Sequence, residues 1–401
     1  MSNKVNRPVS GASMGSDIDV LKANRTKLTV DLSAIRRNVD FARELHPHSK
    51  VMPVIKCNAY GVGAEQIAHD LQKHGVDAFG VENIYEALCL RKSGVTLPIV
   101  VLDGCVPENI DAALDEDLIA GIASIELLKE YDKAASKKKK KVKVWLYYNC
   151  GLNRSGYSDL DEFSNFVQLS SEMDNVIVEC IYSQLSDSHN DFDFTLTQVE
   201  NYKSAISVAK KVYGEQLETS LYASHGIISK VGNVDSNWIR PGLMLFGENC
   251  FSANMSDEIR ASALNLIPAL NLESRLVHKV KIKEDTTFSY TQHNKVRKGE
   301  TLGTVSIGYG SGLFPNGGDD YFMYDQTQLP LKNSAIGMDF SQVQIPSGCD
   351  IPLYSWVTIF GGKNEHRKSL RDFSISMKIS PYALLTSLKV AREYKNGLLN
   401  E

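Results

Sequence analysis

Residues 51–64 read VMPVIKCNAYGVGA: a short, unbroken apolar run that ends in a lysine, Lys56, and is followed by two glycines, Gly61 and Gly63. Such a run suits a parallel strand, which is buried on both faces. Similar runs lie on either side. Upstream, KLTVD at 27–31 precedes a helix in which Ile35, Val39 and Ala42 recur at helical spacing and which Asp31 or Ser33 can cap. Downstream come DAFGV at 77–81, LPIVVLDG at 97–104, IAGIA at 119–123, VKVWLYY at 142–148 and NVIVECIYSQL at 175–185, then ETSLYAS and RPGLMLFG. Helical stretches at 64–74, 83–93, 124–136, 161–172 and 197–212 separate them, with Gly94 in a C-cap position. About eight strands alternating with helices predict the α/β class, as a closed (β/α)8 TIM-type barrel. A doubly wound open sheet is the alternative. One version of it is weakened because no glycine-rich dinucleotide loop follows the first strand.

The pattern changes near residue 262. From there to about 365 the segments are short and alternating or β-branched: LESRLVHKVKI, ETLGTVSIGYG, YFMYD, SQVQI and DIPLYSWVTIFG, with turns at NGG, PSG and GG. A long helix returns only at 380–392. We therefore expect a flexible N-terminus over 1–21, a barrel over 22–262 and a mostly β C-terminal domain over 263–396. The first strand could pack on that second domain instead. A boundary near 260 predicts a cleft between the two units, a usual place for a ligand.

Lysine and arginine total 44 against 48 acids, a formal charge of -4, which argues against a general attraction to nucleic acid or anionic lipid. The basic run Lys137 to Lys141 reads as a solvated turn or helix end, diluted by Glu130 and Asp132. With 43% apolar and 23% charged residues, the composition excludes a mostly disordered chain. The seven cysteines, Cys57, Cys89, Cys105, Cys150, Cys180, Cys250 and Cys349, are odd in number and lack metal-ligand spacing. Free thiols in a reducing compartment and no metal are expected. The opening MSNKVNRPVSGASMGSD carries no apolar segment, and no 18-residue apolar run exists anywhere. No secretory signal or membrane span is expected, and cytoplasm is the default location.

Lys56 stands at the C-terminal end of its strand, the end where parallel barrels carry their chemistry. A partly desolvated lysine can lose its proton and add to a carbonyl as a Schiff base. Alone, it also reads as a strand-end lysine reaching water. IKCNAYGVGA resembles the lysine motif of the alanine racemase family, whose members depend on pyridoxal phosphate and join a barrel to a C-terminal β domain. Other segments resemble family motifs in family order: DLSAIRRNV at 31–39, AFGVENIYEALCLRKSG, LPIVVLDG, IRPGLMLFG at 239–247, SIGYGSG at 306–312, MD at 338–339 and PYALLTSL at 381–388. Together they cover about residues 27–394.

The resemblance implies that Lys56 carries pyridoxal phosphate and, once displaced by an incoming amino acid, acts as a base at Cα. It implies a homodimer in which Tyr290, in the pair SY, is the second acid/base and comes from the partner subunit, one base for each face. Arg240 would face the pyridine nitrogen; a guanidinium keeps its proton and so disfavours a second one there. Arg154, in CGLNRSG, would lie near the cofactor phenolate and the substrate carboxylate. The phosphate would be held by Tyr60, Tyr382 and backbone donors around Gly242 and Leu243. His225 falls where the family has a phosphate-contacting serine and Ser224 is one residue earlier, so both stay open. Tyr309 and Met338 match positions at the substrate mouth, and Asp339 is a further candidate there. The substrate would be a free amino acid, alanine by default, with neither nucleic acid nor membrane as a partner.

Departures from the family pattern bear on specificity. Tyr147 stands where the family has a lysine and Asn149 where it has an aspartate, so the anion that would help hold Arg154 is missing. NCGLNRSG resembles the branch of racemases with broader specificity, with a length difference. Gln184 replaces a histidine that stacks on the cofactor ring, and Gly337 and Ser311 imply a roomier mouth. A racemase of different or broader substrates, a binder without turnover and a related barrel decarboxylase are the alternatives. Arg240 and Tyr290 argue against the decarboxylase, which favours a glutamate and a cysteine in those roles.

Overall fold

The computed structural model describes residues 24–103, 105–248, 251, 255–290, 293–315, 318–362 and 367–397. The expected flexible N-terminus and Cys250 lie outside them. Six parallel strands, Phe79–Val81, Ile99–Val101, Ile119–Ile122, Val142–Tyr147, Val176–Tyr182 and Glu218–Ser220, pair in chain order. Lys50–Val51 and Trp238–Ile239 form a separate parallel pair. Single bridges, Val54 to Gly80 and Ala223 to Arg240, join that pair to the two edges of the six. The expected closed eight-stranded barrel is therefore met as a curled, barrel-like parallel sheet without a continuous ladder at its seam. Pro53 and Pro241 sit at that seam and have no N–H to donate, so the ladder thins to isolated contacts. Their carbonyls still accept, Pro53 from Gly80 N at 2.9 Å and Pro241 from Val54 N at 2.8 Å.

RPGLMLFG is not a strand. The strand is Trp238–Ile239, and Leu243–Phe246 is a 3-10 turn whose four side chains are all buried. An apolar run of this length does not reveal by periodicity which of the two it forms. The helices follow the sequence pattern more closely. Asp31 caps Leu32–Leu45 through the amides of Ser33 and Ala34. Ile84–Ser93 ends at Gly94 in the left-handed conformation, with φ 99°. Ile125–Lys138 ends in the basic run, where Lys138 pairs with Asp115 and Lys140 with Asp117.

Strand Thr26–Asp31 leaves the barrel and joins the C-terminal sheet, antiparallel to Leu270–Lys281 and parallel to Ala391–Lys395. Leu270–Lys281 also pairs with Thr301–Val305 and Trp356–Phe360, so six strands of this eight-stranded sheet close on themselves. The helix expected over 380–392 stops at Ser387, because residues 391–395 are recruited as a strand beside Thr26–Asp31. A short helix, Leu370–Ser376, precedes it and was not anticipated. Among the described residues no helix is long and apolar enough to cross a membrane.

The C-terminal segment grips the barrel at the turn that follows Lys56. Arg392 donates to Gly61 O from Nε at 3.0 Å and from Nη2 at 2.6 Å, and the Tyr394 hydroxyl donates to Val62 O at 2.8 Å. Gly61 has φ 81°, and a Cβ there would fall 2.5 Å from Leu385 O. Only glycine fits both the backbone and the approach of helix Pro381–Ser387.

Candidate active site at the barrel mouth

The chain after Lys56 makes a left-handed turn: Cys57, Asn58, Ala59 and Tyr60 have φ 52°, 55°, 50° and 57°. Left-handed backbone costs a non-glycine residue about 1–2 kcal/mol, so four in succession need external support. The support is visible. Cys57 N donates to Glu86 Oε1 at 2.6 Å, Ala59 N to Ile55 O at 2.8 Å, and Ala64 N to Asn58 Oδ1 at 2.8 Å. The turn starts at Lys56 and leaves its amine in an acidic setting. Lys56 Nζ lies 2.7 Å from Glu82 Oε2 and 3.9 Å from Asp103 Oδ2. Asp103 Oδ1 in turn meets Arg154 Nη2 at 3.3 Å.

Glu82 and Asp103 were not among the sequence candidates. The signal was present: Glu82 directly follows strand Phe79–Val81, and Asp103 comes two residues after Ile99–Val101, both at the carboxyl ends where a barrel mouth forms. Burial works to raise the Glu82 carboxyl, but the hydrogen bond and charge of Lys56 outweigh it and hold it below the usual range. Burial raises Asp103; Arg154 and Lys56 oppose the rise, and Glu82 adds to it. A cavity of about 280 Å³ opens here, lined by Glu82, Leu102, Asp103, Arg154, Ser155 and Tyr182 among others.

Arg240 is buried beyond this cavity, 3% exposed, and its described hydrogen-bond partners are neutral. Nη1 donates to Ser220 O at 2.9 Å and Ser220 Oγ at 2.6 Å; Nη2 donates to Ser183 O, Gln184 Oε1 and Leu221 O. Gln184, flagged as a departure, thus helps fix the guanidinium. At the next strand end Ser224 Oγ accepts from Gly242 N at 3.0 Å and Met244 N at 3.3 Å. His225 points elsewhere, its ring 5.0 Å from Phe251 and 5.1 Å from His189, and burial lowers it to about 4. A Cβ on Gly242 would lie 2.3 Å from the Tyr60 hydroxyl. The Tyr60 ring packs 5.7 Å from Tyr382, and Leu243 is buried behind them.

The remaining candidates gather on the C-terminal domain. Tyr309 N donates to Gly337 O and Gly310 N to Met338 O, each at 2.9 Å. The Tyr290 ring borders Gly337, 3.4 Å from where a Cβ would stand. Asp339 is exposed in the same turn. Tyr290 thus stands beside Gly337, which is hydrogen-bonded to Tyr309.

The barrel donors suit a phosphorylated aromatic aldehyde. Lys56 offers an amine for the carbonyl. Gly242, without a Cβ, leaves backbone close to the Tyr60 hydroxyl, beside Ser224. The Tyr147 hydroxyl is buried without a hydrogen-bond partner among the described residues. Pyridoxal phosphate therefore fits the residues present.

Comparison with known proteins agrees with this geometry. Family models for the alanine racemase N-terminal domain and C-terminal domain match residues 30–250 and 269–394. Alanine racemase 2 of Caldanaerobacter subterraneus subsp. tengcongensis is 26% identical, over 92% of this chain and 94% of its own. The catabolic alanine racemase of Schizosaccharomyces pombe is 29% identical, over 90% and 95%. The alanine racemase of Clostridium difficile 630 shares the fold with a TM-score of 0.84 at 23% identity, covering 93% of this chain and 96% of that one. The first family model alone spans more than half of the chain, and with the fold and the donor set it shows that this protein belongs to the alanine racemase family, the pyridoxal-phosphate-dependent amino-acid racemases.

Proposed function

We propose that this chain interconverts L- and D-alanine, with Lys56 and Tyr290 of the partner subunit as the two bases. The observation that carries the reading is the separation of these residues: Lys56 lies in the barrel mouth, whereas Tyr290 is 70% exposed on the C-terminal face. Its exposure on that face supports a role in the site of a second copy. When bound, the cofactor delocalises the charge that develops at Cα. Lys56 holds it and moves a proton at Cα on one face; Tyr290 serves the other. Arg240 keeps a permanent positive charge toward the ring nitrogen. Ser224, with Gly242, Leu243, Tyr60 and Tyr382, holds the phosphate, and the position of His225 supports Ser224 over it. Arg154 orients the phenolate and substrate carboxylate, and Tyr309, Met338 and Asp339 line the entry. The division into a barrel over 22–262 and a β domain over 263–396 belongs to the same reading, with Thr26–Asp31 packed on the latter.

The test incubates the purified holoenzyme with each L-amino acid in heavy water and follows chiral products and Cα deuteration together. Alanine should racemise with solvent deuterium incorporated at Cα. Efficient turnover of a larger amino acid but not of alanine would replace the substrate assignment, and loss of carbon dioxide would replace the reaction.

A further inference from the structure

Arg154 sits on the irregular loop after strand Val142–Tyr147, and its side chain is 54% exposed. A long side chain on a loop loses rotamer freedom when it is aimed at a ligand, so something must hold it. Its own strand end does not. Asn149 Oδ1 accepts from Gly151 N at 3.2 Å and Asn153 N at 2.9 Å, and its Nδ2 donates to Asn153 Oδ1 at 3.2 Å. That carboxamide shapes the loop. Tyr147 offers a phenol, not an anion, and its hydroxyl has no hydrogen-bond partner among the described residues.

The anion comes from a different strand. We infer that Asp103 positions Arg154 for cofactor and substrate, supplying across the barrel mouth the negative charge that Tyr147 and Asn149 do not supply. The inference rests on the role given to Arg154 above. Asp103 Oδ1 faces Arg154 at 3.3 Å while Oδ2 lies 3.9 Å from Lys56, and Glu82 braces the same amine at 2.7 Å. Glu82, Lys56, Asp103 and Arg154 form one chain of contacts across the mouth. Asp103 is its shared member, so the amine that holds the cofactor and the guanidinium that orients it are tied to one side chain. Once Lys56 is committed to the cofactor its amine is no longer a free cation, so Asp103 acts through Arg154 and is a positioning residue.

The experiment is a double-mutant cycle with Asp103→Asn and Arg154→Gln, reading the dissociation constant of pyridoxal phosphate from the purified protein together with KM and kcat. Losing one ionised partner of a charge-assisted hydrogen bond at a half-exposed site should weaken cofactor binding by roughly tenfold. KM should rise more than kcat falls, and Asp103→Glu should restore part of the loss. In the Arg154→Gln background the Asp103→Asn effect should shrink to within about twofold, since the residue it acts through is gone. Multiplicative effects in the double variant, or a silent Asp103→Asn beside an impaired Arg154→Gln, would overturn the inference and leave the proposed function standing. A silent Arg154→Gln would overturn both this inference and the role of Arg154.

Discussion

At the barrel mouth Arg240 is 3% exposed and satisfied by carbonyls, a hydroxyl and a carboxamide of its own chain. On the C-terminal face Tyr290 is 70% exposed, and Met338, Tyr309 and Phe340 are 54%, 44% and 40% exposed. The first region is held together by groups of one chain. The second presents an aromatic and thioether patch, the kind of surface that marks an interaction site. A barrel mouth able to hold a cofactor and an open face able to complete another copy's site would divide the work between subunits.

Tyr290→Phe breaks the comparison most sharply, because it alters only the open region. Proton exchange at one face of Cα should fall by roughly 10²–10⁴-fold, with the other face much less affected and cofactor affinity unchanged. Deuterium exchange from each enantiomer measures this; equal slowing of both would argue against two bases.

A second test addresses the joint between the regions. Glu248 is buried, 5% exposed, 3.9 Å from Arg367, and it accepts from the amides of Leu370 and Arg371 at the start of helix Leu370–Ser376. Burial pushes its carboxyl from the usual 4.5 up to about 7. Between those values the native state keeps a proton that the unfolded chain has released, so this residue's contribution to stability falls as pH rises through the window. Glu248→Gln removes that dependence. Relative to wild type, its Tm should improve from pH 5 to pH 8 by the equivalent of about 3 kcal/mol. A gap that is constant with pH would show that Glu248 titrates normally.

Gly242→Ala gives the smallest change and sharpens the barrel side. The added methyl would meet the Tyr60 hydroxyl, 2.3 Å away before any adjustment. Overpacking of this kind should weaken pyridoxal phosphate binding by about tenfold while the oligomeric state is unchanged. Unaltered affinity in a binding titration would remove Gly242 from the phosphate cradle.

Much of the barrel side was legible in the chain. FGV, IVV and IAGI are apolar because both faces of those strands are covered, and Asp31 and Gly94 cap helices where their chemistry suggests. The errors came where distant contacts decide. Leu243–Phe246 is apolar enough for a strand but lies beyond Pro241 and Gly242. AREYK at 391–395 is suited to a helix until Thr26–Asp31 pairs with it. At the site, Lys56 stood out through its motif, whereas Glu82 and Asp103 matter only because two separate strand ends converge on it. The resemblance implies an anion near Arg154 that Asn149 and Tyr147 do not provide; only the fold reveals that Asp103 stands beside that arginine. Likewise Ser224 and His225 are neighbours in sequence, and the hydrogen bonds of Gly242 and Met244 distinguish them.

The most direct measurement is to reduce the holoprotein with borohydride, which fixes the cofactor to whichever amine holds it, and then to digest it and locate the added mass. The peptide carrying Lys56 should bear the pyridoxyl group in stoichiometric yield. A pyridoxyl group on another lysine, with Lys56 unmodified, would contradict the assignment of the barrel mouth as the active site.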